Sequence, residues 1–413
     1  MQKSRIIGAL AASLLFTTAG FAEDLVIYHS WSSASEVAAL NVLRTGLTEK
    51  GHTWTDIAIP HDTGSTVNLM ALITGGQPPN VFMESSPGVY RDLAGLGFEF
   101  DLTSWYQQNG YLDHIPAAAA GAIQVDGKAV KVPTGLHIDG MVYYNKAVAE
   151  EVGVDPTTWT SLDDMFADFE KVRAAGKIPL AVGSQPFQVG YLLHALTAAI
   201  GGAELYNRIY GPEPDVTAFD TPEYLQILET LRKFSLEAGP DAQNRPWNET
   251  TNQVITGNAL MQLHGDWMKG EWLASGATAG KEFGCIQIPG SKAAVVTVDA
   301  WGLLGGVDEA KQAAELDFAS VVLDPKIQAA FAAAKGSTPV RLDVPEGSVD
   351  VCSRNVLDAL VDPARQVQSP NNTVDADWQN SIWDVAFTFW GDHNESAADA
   401  IAQMKDNYDF ILN

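Results

Sequence analysis

Three tryptophans stand where an apolar run meets a loop, or beside such a point: Trp31 in HSWSSASE, Trp267 in QLHGDW and Trp301 in VDAWGLLGG. Carboxylates that could serve with them are Glu36, Asp62, Glu84, Asp266 and Asp299. An indole face is a flat apolar plate, and each carboxylate oxygen can accept from two hydroxyls. Plates and acceptors together suit a polyhydroxylated ring, which shows C–H patches on its faces and hydroxyls at its edges. The same residue types have plainer uses. Ser33-x-x-Glu36 fits a capping box, which would tie Glu36 to its own helix. Asp266 precedes Trp267 at a turn, where an aspartate often satisfies local N–H groups. WGLLGG is apolar throughout, so Trp301 is expected in the core. Asp299 is more telling, because a carboxylate inside the apolar run VVTVDAWG must find partners. Trp247, Trp272, Trp378, Trp383 and Trp390 are read as packing.

The elements that must position these residues alternate. LVIY (25–28) reads as a strand, followed by a helix near 34–50 with Val37, Leu40, Leu43 and Leu47 on its apolar side and Gly51 as its stop. A strand near 54–59, a helix over 65–74 carrying Val67, Met70, Ala71 and Thr74, and the buried strand NVFME (80–84) come next. Such βαβα order predicts an α/β fold with parallel strands covered by helices. In open sheets of this kind ligands bind beyond the C-terminal strand ends. Trp31, the segment Asp62–Ser65 and the segment Glu84–Ser86 all fall at such ends. Farther on, DGKAVKVPTG (126–135) reads as turn and strand. MVYYNK (141–146) follows, and a helix from Ser161 places Leu162, Met165, Phe166, Phe169 and Val172 on one face, with Thr160 and Asp163 as a candidate capping box. IPLAVG (178–183) is a strand, and Thr221 with Pro222 opens another helix. NALMQLHGDW (258–267) is strand then loop, and AAVVTVDAWGLLGG (293–306) is a long extended run.

The chain of 413 residues is 46% hydrophobic and carries a formal net charge of −26. That length favours two cores over one. The acidity disfavours nucleic acid and anionic membrane surfaces, which require clustered Lys and Arg. MQKSRIIGALAASLLFTTAGFA has Lys3 and Arg5, an apolar stretch and a small-residue site, so a leader over 1–22 is expected to be cleaved after Ala22. The mature chain is then exported, most simply to a periplasm. Cys285 and Cys352 form either one disulfide or two separate buried thiols; export makes the bridge possible, and it is favoured because the chain offers no other pairing. The eight histidines form no HxH or HExxH spacing, and no Walker-type loop occurs, so no metal or cofactor is expected.

Several stretches resemble the bacterial extracellular solute-binding protein family 1, the sugar-binding components of ABC importers. They are GGQPPNVFME, DGKAVKVPTG, MVYYNKAVAEEVGVDPTTWTSLDDM, GKIPLAVG, GNALMQLHGDWMKGEW and KGSTPVR, in the family's order. HSWSSASEVAALNVL and FGCIQIPG are most similar to the glucose-type branch. The resemblance implies a two-lobed, maltodextrin-binding-protein-like α/β fold with a hinge of crossings near 132–136, 294–299 and 337–341. The lobes would be 23–134 with 298–338, and 135–297 with 339–413. Both cysteines then fall in the second lobe, which supports their pairing. The resemblance implies sugar contact by Trp31, Glu36, Trp267, Asp299 and Lys335. Two positions depart from the branch. The strand after PP reads Met83-Glu84-Ser85 instead of carrying a lysine, and no histidine matches the family's C-terminal one near SPNNTVDADW.

The expected function is capture of a sugar by a monomeric periplasmic receptor and delivery to an inner-membrane permease. A second class of reading is a secreted glycosidase using Asp266 and Asp299 as its carboxylate pair.

Overall fold

The computed structural model describes residues 22–60, 65–183, 185–239, 242 and 245–412. Its strands are β1 (Asp24–His29), β2 (Thr53–Ala58), β3 (Val81–Met83), β4 (Gln124–Val125), β5 (Lys128–Ala129), β6 (Lys131–Asp139), β7 (Met141–Asn145), β8 (Ile178–Ala181), β9 (Ala259–His264), β10 (Phe283–Gln287), β11 (Ala294–Leu303) and β12 (Gln366–Gln368). Two sheets organise ten of them, and β4 pairs only with β5. The first has the order β12-β11-β3-β1-β2, with β6 also paired to β11; the second has the order β10-β7-β9-β8.

The expected parallel strands are present in β1, β2 and β3. The sheets are nevertheless mixed. β11 runs antiparallel to β3 and to β6, and β7 runs antiparallel to β9 and β10. The cause is the path of the chain. β6 leaves the first sheet and continues through Gly140 into β7 of the second, and β11 returns beside it in the opposite direction. Gly140 sits at a φ of +82°, and a Cβ there would lie 2.8 Å from Ala195, so glycine alone suits this passage. An isolated antiparallel bridge also pairs Leu136 of β6 with Thr338.

Local signals place most helices. Helix Ala34–Glu49 buries Leu40, Leu43 and Leu47 against the first sheet and is closed at its start by the Ser33–Glu36 capping box. Val37 lies at the edge of that stripe and is 44% exposed. Helix Ser65–Thr74 has the expected bounds but another phase: Leu69 and Ile73 are buried, and Val67 is 75% exposed. STVNLMALIT is apolar on nearly every side, so spacing alone selects no face. The helix starting at Leu162 buries Met165, Phe169 and Val172, and its capping box is Ser161 with Asp164, one residue later than expected. Thr160 joins it, since its N–H and hydroxyl both donate to Asp164. Thr221 and Pro222 open helix Pro222–Glu237 as expected.

The two cysteines form a disulfide, with Cα atoms 5.8 Å apart. It ties β10 to helix Val351–Ala359. Among the described residues no helix is long and apolar enough to cross a membrane.

Candidate functional site

All nine residues of β6 are buried, yet the strand carries Lys131, Thr134, His137 and Asp139. Charged groups so placed must be paired and hydrogen-bonded. His137 provides the central case. Its Nδ1 lies 2.5 Å from Asp266 Oδ1, and its Nε2 lies 3.1 Å from Asp299 Oδ2. Two carboxylates on one imidazole call for a donor on each nitrogen, which is the imidazolium. Burial by itself would lower the ring's pKa; the charges of Asp266 and Asp299 and their hydrogen bonds overcome this and raise it to about 9. Burial pushes the Asp266 carboxyl up, with His137 and Lys269 acting the other way. One proton is therefore held between Nδ1 and Asp266, and a second on Nε2 faces Asp299.

Backbone geometry brings this about. The pairing of β6 with β11 slips where Asp299 opposes Gly135 while the next residue, Ala300, opposes Pro133. Thr134 is the extra residue of this bulge, and a bulge re-aims side chains. A Cβ on Gly135 would lie 3.2 Å from His137 Nε2, so the glycine leaves room for the ring. Asp266 arrives from the end of β9 and is fully buried, whereas the Asp299 side chain is 22% exposed. Asp299 is thus the end of the relay that meets solvent.

From Asp299 the contacts continue into the first sheet's helices. Lys335, last residue of helix Pro325–Lys335, has its Nζ 4.0 Å from Asp299 Oδ2 and 5.0 Å above the Trp31 ring. Trp31 follows β1 and is 6% exposed, packed at 5.7 Å edge-on to Trp301 and at 5.7 Å to Phe331. Trp301 is wholly buried, as its apolar surroundings predict.

In the other direction the His137 ring meets Trp267 edge-on at 5.3 Å. Trp267 also meets His264 at 4.9 Å and Tyr191 at 5.2 Å, and is 8% exposed. Its indole folds back over its own turn: a Cβ on Gly265 would lie 2.0 Å from the ring. That explains glycine as the first residue of Gly-Asp-Trp. Trp383, Phe187 and Trp247 complete the aromatic cluster.

Trp31, Lys335, Asp299, Asp266 and Trp267 therefore form one continuous chain of contacts, linked by His137. The other candidates lie outside it. Glu36 closes its capping box, and its Oε2 accepts from the N–H groups of Ser32 and Ser33. Glu84 Oε1 accepts from Ser85 and Ser86 N–H, and its Oε2 from the Thr66 hydroxyl. Asp62 lies outside the described residues.

Several residues at this site were not singled out from the sequence. His137 is foremost. Its signal was the one that flagged Asp299, a titratable group inside an apolar strand. Asp139, two residues on, is the same case: His194 Nε2 lies 2.9 Å from its Oδ2, which also accepts from the Thr297 hydroxyl. Lys131 Nζ donates to the Ser85 carbonyl at 2.5 Å, so a lysine reaches the end of β3 from β6 instead of from β3 itself. Burial lowers that amine to about 8, with Glu84 opposing. Glu271, one turn past Trp267, accepts from the Ser35 N–H and hydroxyl at the start of helix Ala34–Glu49. No local pattern marks a partner 236 residues away. A surface hollow of about 510 Å³ lined by Tyr111, Asp324 and Arg341 shares no residue with this chain of contacts.

A family model described as bacterial extracellular solute-binding protein matches residues 24–355. The chain belongs to that family. Among its relatives in this family, a probable sugar-binding periplasmic protein of Mesorhizobium japonicum is 33% identical over 360 residues, covering 86% of this chain and 85% of the relative. A probable sugar-binding periplasmic protein of Rhizobium meliloti is 30% identical over 366 residues, covering 88% and 87%. Among solved structures, a chitin oligosaccharide binding protein superposes with a TM-score of 0.82 at 17% identity, covering 94% of this chain and 98% of that one. At that identity the likeness speaks to the fold, which is the two-lobed α/β architecture of solute-binding proteins.

Proposed function

We propose that this solute-binding protein captures a sugar between two lobes and hands it, chemically unaltered, to an ABC importer in the inner membrane. The lobes are residues 23–134 with 298–338, and 135–297 with 339–413. The leader 1–22 directs export to the periplasm and is removed after Ala22, and the mature protein acts as a monomer. The ligand class is a hexose such as glucose, or a small glycoside. One observation carries this reading: a partly exposed carboxylate, Asp299, lies within 4.0 Å of the Lys335 ammonium and 3.1 Å of the His137 ring, with the indoles of Trp31 and Trp267 at the two ends of the same contact chain. The names of the relatives support it.

Trp31 and Trp267 wall the sugar ring, Asp299 accepts from its hydroxyls and Lys335 donates. Asp266 acts through His137, and Glu36 and Glu84 brace the rim. A ligand touching groups from both lobes gains contacts only when they close on it, so binding selects the closed form. That form is what the permease reads.

A thermal-shift panel of D-glucose, D-galactose, D-xylose and maltose tests this, since a ligand that binds the folded state raises the melting temperature. Trp267→Ala is expected to weaken the responding sugar by at least about tenfold, or ~1.4 kcal/mol. Parental affinity in that variant would remove Trp267 from the contact set. The glycosidase reading is weakened because Asp266 is fully buried against His137 and cannot reach a glycosidic oxygen. Chromogenic glycosides should remain intact on prolonged incubation; turnover would reverse the assignment.

A further inference from the structure

His137 is wholly buried, sits on a strand that joins the two sheets, and contacts both Asp266 and Asp299. Only Asp299 of the three is open to solvent, at 22%. We propose that His137 is a positioning residue for ligand capture: clamped as a cation between the two aspartates, it holds the Asp299 carboxylate toward the cleft as an acceptor for ligand hydroxyls. This rests on the sugar-binding reading above and goes beyond it by coupling ligand affinity to one buried proton.

The argument is geometric first. Asp299 stands at the β6–β11 bulge, where its direction is not set by regular pleating. The Nε2–H of His137 supplies a fixed donor to Oδ2. The Asp266 carboxylate behind the ring keeps that ring charged and oriented, as a buried carboxylate does for a histidine elsewhere. If the ring loses its second proton, one nitrogen becomes an acceptor facing a carboxylate, and Asp299 is repelled instead of held.

Lys131, on the same strand as His137, also changes charge in mildly alkaline solution, but its amine is bonded to the Ser85 carbonyl and acts on Glu84. Of the groups around Asp266 and Asp299, His137 is the one so poised. From the end of β9 come Asp266 and His264, with Lys269 one turn on; burial lowers His264 to about 3, so it stays neutral. From β11 comes Asp299, with Lys335 behind it. Asp139 lies on β6 itself, against His194 of helix Pro186–Leu196. Tyr143 of β7 and Tyr191 of the same helix are raised well above the usual tyrosine range, first by burial and then by these aspartates, and remain neutral. His137 is the group raised to about 9.

The test measures affinity for D-glucose, D-galactose, D-xylose and maltose by calorimetry from pH 6 to pH 10. The sugar that binds is expected to hold constant affinity to about pH 8 and to lose about fivefold by pH 10, approaching the full tenfold only above that pH. Asp266→Asn removes one of the two charges that keep the ring protonated, so the alkaline fall should move about one pH unit lower or more. His137→Gln should lose the alkaline fall, and Lys335→Met, which removes the neighbouring ammonium, should keep it. Histidine-ring NMR on the unmodified protein covers the case in which a variant fails to fold. By reciprocity, a saturating sugar must raise the His137 midpoint by the logarithm of the affinity ratio, about one unit for tenfold. A sugar that binds equally at pH 7 and pH 10, or an imidazole midpoint that ligand leaves unmoved, overturns the proposal and spares the sugar reading. No binding by any of the four sugars overturns both.

Discussion

Glu36 and Glu84 on one side, and Asp266 and Asp299 on the other, look alike in the chain: acidic residues beside a strand end or within an apolar run. Their partners differ. Glu36 and Glu84 accept from backbone N–H groups one to four residues away, with Thr66 added for Glu84. Asp266 and Asp299 reach a shared imidazole from 129 and 162 residues away. The first pair closes local structure. The second pair is held by the tertiary fold, where β6 and β11 of the first sheet meet the end of β9 from the second. A carboxylate bonded to its own loop loses little function when removed. One that shares a buried cation cannot be removed without leaving charge stranded.

Four changes break or sharpen this contrast. The largest effect is expected for His137→Ala, which leaves two aspartates facing each other without their cation. About 3–5 kcal/mol of folding stability should be lost, read by urea denaturation; a variant with the parental midpoint would show that the cluster is not held by charge. Next comes pH. His137 is raised from 6.5 to about 9 on folding, so its contribution is complete below pH 6.5 and is lost as pH rises through 9. Up to roughly 3 kcal/mol is at stake, reduced by the raised Asp266 carboxyl, and denaturation at pH 6, 8 and 10 measures it. Third, Asp299→Asn keeps the shape and removes the charge. Affinity for the responding sugar should fall about ten- to a hundredfold, by calorimetry, because hydrogen bonds to a charged group are each worth about 1.5–3 kcal/mol. The smallest effect is expected for Glu36→Ala. It should cost about 1 kcal/mol of stability through the lost cap and change sugar affinity no more than about twofold. A larger loss of affinity would move Glu36 from the brace to the contact set.

Much of the fold was legible because its signals are local. The Ser33–Glu36 box, Thr221 with Pro222, and the apolar stripe Leu40, Leu43 and Leu47 each lie within one or a few turns, and the structure keeps them. Legibility failed where the pattern lacked contrast. Helix Ser65–Thr74 is apolar on nearly every side, and its buried face could not be told from spacing. Thr160 and Ser161 offer the same hydroxyl, and only the backbone decides which of them caps. The sheet direction of β11 depended on a return from the other sheet, which no window of sequence records.

The sequence by itself determined which residue types were available: indoles and carboxylates at strand ends, two cysteines, and a run of family blocks in order. Tertiary structure alone decided that Trp31 packs beneath Lys335, that Asp266 faces inward and Asp299 outward, and that a histidine between them carries the charge. The physical reason is that a buried ionisable group takes its state from whatever lies within a few ångströms. Those neighbours come from β6, β9 and β11, which only folding brings into contact.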